Sequence, residues 1–148
     1  MKTIYLIACV AQKANEPLPA EDLYVSDWFK KARSYVKYQM RPQDKWYILS
    51  AKYHLVEPRQ VISPYNETLN TMRKPDRRRW ATRVLSQLLP MTNAGDTIIM
   101  LAGIRYREAL ETALRAHRYA VEVPMAGLGI GEQKAWLLDH SISHEVQS

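Results

Sequence analysis

The residues able to do chemistry are concentrated in four short stretches. The first is Cys9-Val10-Ala11-Gln12-Lys13, which holds a thiol, an amide and an ammonium. Lys13 could bind a phosphate or a developing anion. Cys9 is a nucleophile only where its thiolate is stabilised, and otherwise packs as a small buried side chain. The second runs from Ser50-Ala51-Lys52-Tyr53-His54-Leu55 through Pro58 to Ile62-Ser63-Pro64-Tyr65-Asn66-Glu67. Aromatic rings beside amides and cations are what a base-binding pocket needs: tyrosines stack, and Asn or Gln pairs with a base edge. Read alone, Pro64-Tyr65-Asn66 is also a turn packed by its tyrosine, and His54 a surface histidine. The third is Ala102-Gly103-Ile104-Arg105-Tyr106, where a glycine permits close approach and a helix start offers N–H groups. The fourth is Pro124-Met125-Ala126-Gly127-Leu128-Gly129-Ile130-Gly131-Glu132-Gln133, a glycine-rich wall for a flat or phosphorylated ligand. Glu132 is either an acid–base group or a helix-stabilising acid.

A further cluster is electrostatic. Arg73, Lys74, Arg77, Arg78 and Arg79 fall within seven residues, opposed by Asp76 alone, in a chain of net charge +6. Such a cluster grips phosphate backbones and releases their counterions, or forms a solvated helix face. Several chemistries lack their parts. The chain has no phosphate-loop lysine motif, no HExxH, no CxxC pair and no GxSxG. No metal and no cofactor are expected. A single cysteine excludes an internal disulfide and suits a reducing, cytoplasmic setting. No run of about 18 apolar residues exists to cross a membrane. The apolar start, Met1 to Ala8, is too short for a signal peptide and reads as a strand.

The elements that position these stretches follow from hydrophobic pattern. Thr3–Cys9, Lys45–Ser50 and Asp96–Ala102 are nearly continuous apolar runs, as in strands buried on both faces. Ala120–Pro124 alternates and meets a proline, which predicts a strand nearer the edge. Ser26 caps a predicted helix with Trp28, Phe29, Ala32, Tyr35 and Val36 on one face. Pro75 and Asp76 start a second helix carrying Trp80, Ala81, Val84, Leu85 and Leu88. A third follows Gly103, with Tyr106, Ala109, Leu110, Ala113 and Leu114 facing inward. A fourth starts near Gly131 and presents Ala135, Trp136, Leu138 and Ile142. The order β-α-β-α-β-α-β-α demands a four-stranded, mainly parallel sheet covered on both faces. With 148 residues this is one α/β domain, residues 1–148. Such sheets bind ligands beyond the carboxyl ends of their strands, which is where the four stretches fall.

Together these motifs resemble the DUF6884 family. The resemblance rests on Leu6-Ile7-Ala8-Cys9 leading to Lys13, and on Pro19–Ser26 with Phe29 and Arg33. Trp46–Leu55 with Pro58 and Pro64–Leu69 matches its central signature, and Ala102–Tyr106 with Pro124–Gly131 its closing pair. His54 stands where the resemblance leads one to expect glycine. The central signature is similar to that of YaaA-like proteins. Those and archaeosine-synthase-like domains are associated with DNA or with 7-deazaguanine bases. The resemblance therefore implies a three-layer α/β/α sandwich similar to uracil-DNA glycosylase.

The resulting expectation is a DNA-directed enzyme acting on a modified or damaged nucleobase, most concretely an N-glycosylase. Tyr65, Tyr53 or Tyr24 would stack on a flipped base, and Asn66 or Gln12 would read its edge or position a water. Lys13 and Lys52 would stabilise the departing base anion or a neighbouring phosphate. Cys9, Gly103, Arg105, Tyr106, Gly129 and Glu132 would line the substrate site. Arg73, Lys74, Arg77 and Arg78 would hold the DNA. Two rival expectations keep the pocket. One is a deazaguanine-modifying enzyme that attacks a nitrile through Cys9. The other is a non-catalytic DNA or nucleotide-binding protein in stress or phage defence.

Overall fold

Ile4 to Ala8 are all buried, as a strand flanked on both edges and both faces requires. A computed structural model describes residues 1–8 and 12–147, with side chains up to Ser141. In it the first strand, β1 (Thr3–Ala8), lies at the centre of the sheet. Next come β2 (Leu18–Pro19), α1 (Ala20–Leu23), α2 (Asp27–Gln39), β3 (Lys45–Ser50), β4 (His54–Val56) and β5 (Val61–Ile62). The chain continues through α3 (Lys74–Leu88), β6 (Thr97–Leu101), α4 (Ile104–Ala116), β7 (Ala120–Glu122) and α5 (Ile130–Gln147).

The main sheet has the order β4-β3-β1-β6-β7. β1 pairs in parallel with β3 (Leu6 opposite Tyr47) and with β6 (Leu6 opposite Met100), and β6 pairs in parallel with β7. β7 is an edge, as its alternation predicts. The expected four-stranded sheet is corrected to a mixed sheet of five strands. β4 adds an antiparallel edge, Leu49 opposite Leu55, folded back from β3 by a tight turn. Three residues carry too little period-2 pattern to announce a strand. The outer edge of β4 is closed by a side chain: the Gln87 amide on α3 accepts from Leu55 N at 3.0 Å and donates to Leu55 O at 3.2 Å. A neighbouring strand would make the same two bonds.

The helices pack in two pairs, α2 with α5 and α3 with α4. The Ser26 hydroxyl caps α2, accepting from Phe29 N at 3.1 Å. Phe29, Ala32, Tyr35 and Val36 are buried there, and Trp80, Ala81, Val84, Leu85 and Leu88 on α3. The face expected of α5 is corrected. Leu137 is fully buried while Leu138 is 49% exposed, because packing against α2 turns the helix by one residue within Trp136-Leu137-Leu138.

Two buried aspartates hold the amino-terminal ends of the three central strands together. Asp44, just before β3, accepts from Thr3 N at 2.9 Å and Arg41 N at 3.0 Å. Asp96, just before β6, accepts from Lys2 N at 3.2 Å and Asn93 N at 2.9 Å. Each carboxylate thus joins its own turn to the start of β1. Burial raises the pKa of Asp44, but the backbone N–H groups of Arg41 and Thr3 and the Arg41 guanidinium outweigh it, so the carboxyl lies below its ordinary 3.8.

Asp44→Ala should destabilise the protein by about 2 kcal/mol in urea unfolding, because two backbone donors lose their acceptor. The folded-state pKa is the lower one. The stability contributed by Asp44 is therefore complete above 3.8 and is lost as pH falls through the folded value. Acid unfolding of Asp44→Asn should accordingly be less steep than that of the parent below pH 3.8.

Candidate functional site

The parallel strands stand in the spatial order β3-β1-β6-β7, so connections leave β1 and β6 in opposite directions. Cleft formation at such a reversal is a general property of open α/β sheets. The segments after β1 and β3 are stitched together beyond the carboxyl ends of their strands. Ala14 N donates to Leu23 O at 2.8 Å and Val25 N to Gln12 O at 3.0 Å, so Lys13 pairs antiparallel with Tyr24. β2 pairs with β5, and Ala20 N and Glu21 N donate to Gln60 O and Pro58 O. The long segment after β3 is thereby laid against the segment after β1.

This stitching assembles an aromatic knot with a lysine over it. The Tyr24 and Tyr65 hydroxyls are hydrogen-bonded at 2.5 Å. Tyr53 meets Tyr65 edge-on at 5.7 Å, and Tyr24 packs against Phe29 at 5.0 Å. Lys13 Nζ lies 4.4 Å from the centre of the Tyr65 ring and 5.7 Å from that of Tyr24. An ammonium at that range is attracted by the ring quadrupole, which fixes its position. Lys52 Nζ flanks the knot, 5.5 Å from the Tyr53 ring.

The turn that delivers Tyr53 is built by Ser50. Its buried hydroxyl accepts from Lys52 N at 3.2 Å and Tyr53 N at 2.9 Å. Trp80 Nε1 donates to Ser50 O at 2.9 Å and sets its ring edge-on against Tyr106, so the end of β3 is tied to the first turn of α4. His54 closes the turn at φ 68°, in the left-handed region where glycine is favoured. The chain thus carries a histidine at the position where the signature leads one to expect glycine. Burial and the nearby Arg83 lower the pKa of His54 below its ordinary value.

The structure separates the anticipated site residues into groups. Lys13, Lys52, Tyr24, Tyr53 and Tyr65 come together as described. Tyr24 and Tyr65 do so as buried rings, 1% and 8% exposed, and form a wall beneath Lys13. Tyr53 remains half-exposed, and Gln12 and Asn66 are exposed at the rim. Cys9 lies outside the described residues. Tyr106 is 3% exposed and packs edge-on against Trp80. Arg105 is exposed and pairs with Glu108 at 3.6 Å. Glu132 Oε1 accepts from Gly129 N at 3.0 Å, half of a capping box for α5. Gly103 caps α4 and, with Gly127 (φ 84°), borders a hollow at the ends of β6 and β7.

The basic cluster opens α3. Lys74, Arg77 and Arg78 border a groove between α3 and α4 floored by Ala81, Ala109 and Ala113. Arg73 is the exposed N-cap, Arg77 also donates to Met72 O, and Arg79 is paired with Asp76. Sequence reasoning passed over Arg107, which borders the Gly103 hollow. Its one signal is a position four residues after Gly103, on the same side of the helix. Among the described residues no three His, Cys, Asp or Glu side chains are grouped to hold a metal ion, and no helix is long and apolar enough to cross a membrane.

Comparison with known proteins agrees in extent with the arrangement above. A family described as "Family of unknown function (DUF6884)" matches residues 4–139. The "Uncharacterized protein YfjM" of Bacillus subtilis (strain 168) is 28% identical over 145 residues, covering 88% of this chain and 89% of the relative.

His54→Gly should raise stability by about 0.5–1 kcal/mol, the strain at positive φ exceeding the extra chain entropy of glycine. A histidine with a lowered folded pKa contributes fully above its ordinary 6.5 and loses that contribution as pH falls. The gap between His54→Gly and the parent should therefore widen from pH 7.5 to pH 5.5 in thermal unfolding. Tyr65→Phe should cost about 1 kcal/mol through the lost hydroxyl pair.

Proposed function

This chain belongs to the DUF6884 family, and on that premise we propose that it is a DNA-directed enzyme that excises a modified or damaged nucleobase. The observation that carries the reading is the placement of Lys13: an ammonium set over the Tyr65 ring at 4.4 Å, beyond the ends of β1 and β3. A departing base carries negative charge, and a fixed cation beside it lowers the barrier without reorganising at the moment of reaction. Tyr53 is the half-exposed ring on which the flipped base stacks, and Asn66 at the rim reads its edge or orients the attacking water. Lys52 stands on the flank toward the neighbouring phosphate.

The architecture suits this reading. Right-handed crossovers put α2 on one face of the sheet and α3 and α4 on the other, and α5 packs with α2. This is compatible with a three-layer α/β/α sandwich, the arrangement that the resemblance to uracil-DNA glycosylase and YaaA-like domains implies. The first turns of α3, with Arg73, Lys74 and Arg78 exposed, meet the DNA backbone on the same rim. Hydrolytic base release needs no cofactor.

Incubation with a broad panel of duplexes bearing modified or damaged bases should release free base from at least one. Lys13→Met should slow that release by about a hundredfold or more while duplex binding persists. Replacing Arg73, Lys74 and Arg78 by alanine should instead weaken binding to all sequences alike and flatten the slope of its salt dependence by about one for each phosphate no longer held. Duplex binding with no base released across the panel would overturn the enzymatic reading in favour of a DNA-binding protein without turnover.

A further inference from the structure

A second place at the strand ends has the makings of a ligand site. The ends of β6 and β7 and the start of α5 enclose a hollow of about 80 Å³. A single water needs roughly 10–15 Å³ of such space. Met100, Ala102, Val123, Met125 and Leu128 line it, yet most of the surface facing the hollow is polar. Two polar side chains reach it, Arg107 and Gln133. Gln133 is engaged by the protein: its amide oxygen accepts from Trp28 Nε1 at 2.8 Å and its amide nitrogen donates to Leu128 O at 2.8 Å.

Arg107 is different. It is half-buried, and among the described residues its guanidinium has neither an ion pair nor a hydrogen bond. Its neighbours on α4 are paired, Arg105 with Glu108 and Arg115 with Glu111. Glu111, the acid one turn from Arg107, is taken by Arg115 through two bonds of 3.0 and 2.9 Å. A half-buried guanidinium without a counterion gives up part of its hydration, and no contact among the described residues replaces it. Gly103 lies on the rim. Its backbone (φ −67°, ψ 165°) suits any residue, and a Cβ added there meets nothing within 4 Å. Neither backbone conformation nor packing requires a glycine at that position, and the space beside it is open.

We propose that this hollow is an anion subsite in which the Arg107 guanidinium takes a phosphate group entering past Gly103. The position follows from the hollow alone. The identity of the anion rests on the nucleic-acid reading above. A guanidinium fork matches two phosphate oxygens, and the polar groups that line the hollow beside it suit a charged, hydrogen-bonding ligand. The phosphate belongs either to a free nucleotide or to the DNA strand that carries the target base.

Binding of the full chain is measured for inorganic phosphate, a deoxynucleoside 5′-monophosphate, the matching nucleoside, and a short single-stranded DNA without terminal phosphate. The monophosphate should bind about ten- to a hundredfold more tightly than the nucleoside, and Arg107→Met should remove that difference. Arg107→Lys keeps the charge without the fork and should fall between. Gly103→Val should weaken the same probes by narrowing the entrance, and it carries the test should Arg107→Met unfold. A response to both variants confined to DNA assigns the phosphate to the strand, and one confined to the monophosphate assigns it to a free nucleotide. Unchanged dissociation constants for every phosphate-bearing probe in both variants, or no binding of any of them by the parent, overturn the proposal. Loss of phosphate binding in Arg107→Met in a protein that releases no base leaves the subsite standing and removes the glycosylase reading alone.

Discussion

The structure depends on a central strand hydrogen-bonded in parallel along both edges. β1 cannot supply its own register, because parallel pairing lacks the short hairpin that fixes an antiparallel one. Two buried aspartates perform that task from the turns before β3 and β6, each holding a backbone N–H at the start of β1. Buried carboxylates are tolerated only where donors surround them, and here the donors are main-chain groups. The three strand starts are thereby aligned at one end of the sheet. Their opposite ends, where the chemistry-bearing segments begin, are aligned as a consequence.

Beyond that end, polar chemistry rests on apolar support. The Tyr24–Tyr65 pair and its Phe29 neighbour form a buried base, and Lys13 is held above it by a ring face. A lysine has four rotatable bonds and loses entropy when it is placed. A ring at 4.4 Å compensates part of that loss without neutralising the charge. The Ser50 turn serves the same end from the other side. Its hydroxyl satisfies two backbone N–H groups, while Trp80 holds its carbonyl. Ser50 and Trp80 are therefore positioning residues, and the strained His54 marks where the chain reverses into β4.

Charge is divided along the same rim. Toward α3 it is exposed and multiple, suited to a solvated polyanion whose counterions it displaces. At the β6–β7 end it is a single half-buried guanidinium beside a small hollow, suited to one anionic group. Lys13 lies between these extremes, partly covered and held by rings.

Local periodicity was enough to read the buried strands, the inward faces of α2, α3 and α4, and the basic turn that opens α3. Those features depend on residues within one turn or one pleat of each other. The same local information could not reveal β4, whose three residues are a strand only because β3 lies beside them. Nor could it separate Leu137 from Leu138 in an unbroken apolar triplet, where the partner helix decided. The burial of the tyrosines was likewise decided by contact. Tyr24 and Tyr65 are 41 residues apart, and only the stitching of β2 to β5 makes one bury the other's hydroxyl. Residue types and strand ends were written in the sequence. Which side chains cover one another, and that the half-buried Arg107 has no ion pair among the described residues, arose from strand order and packing across the sheet.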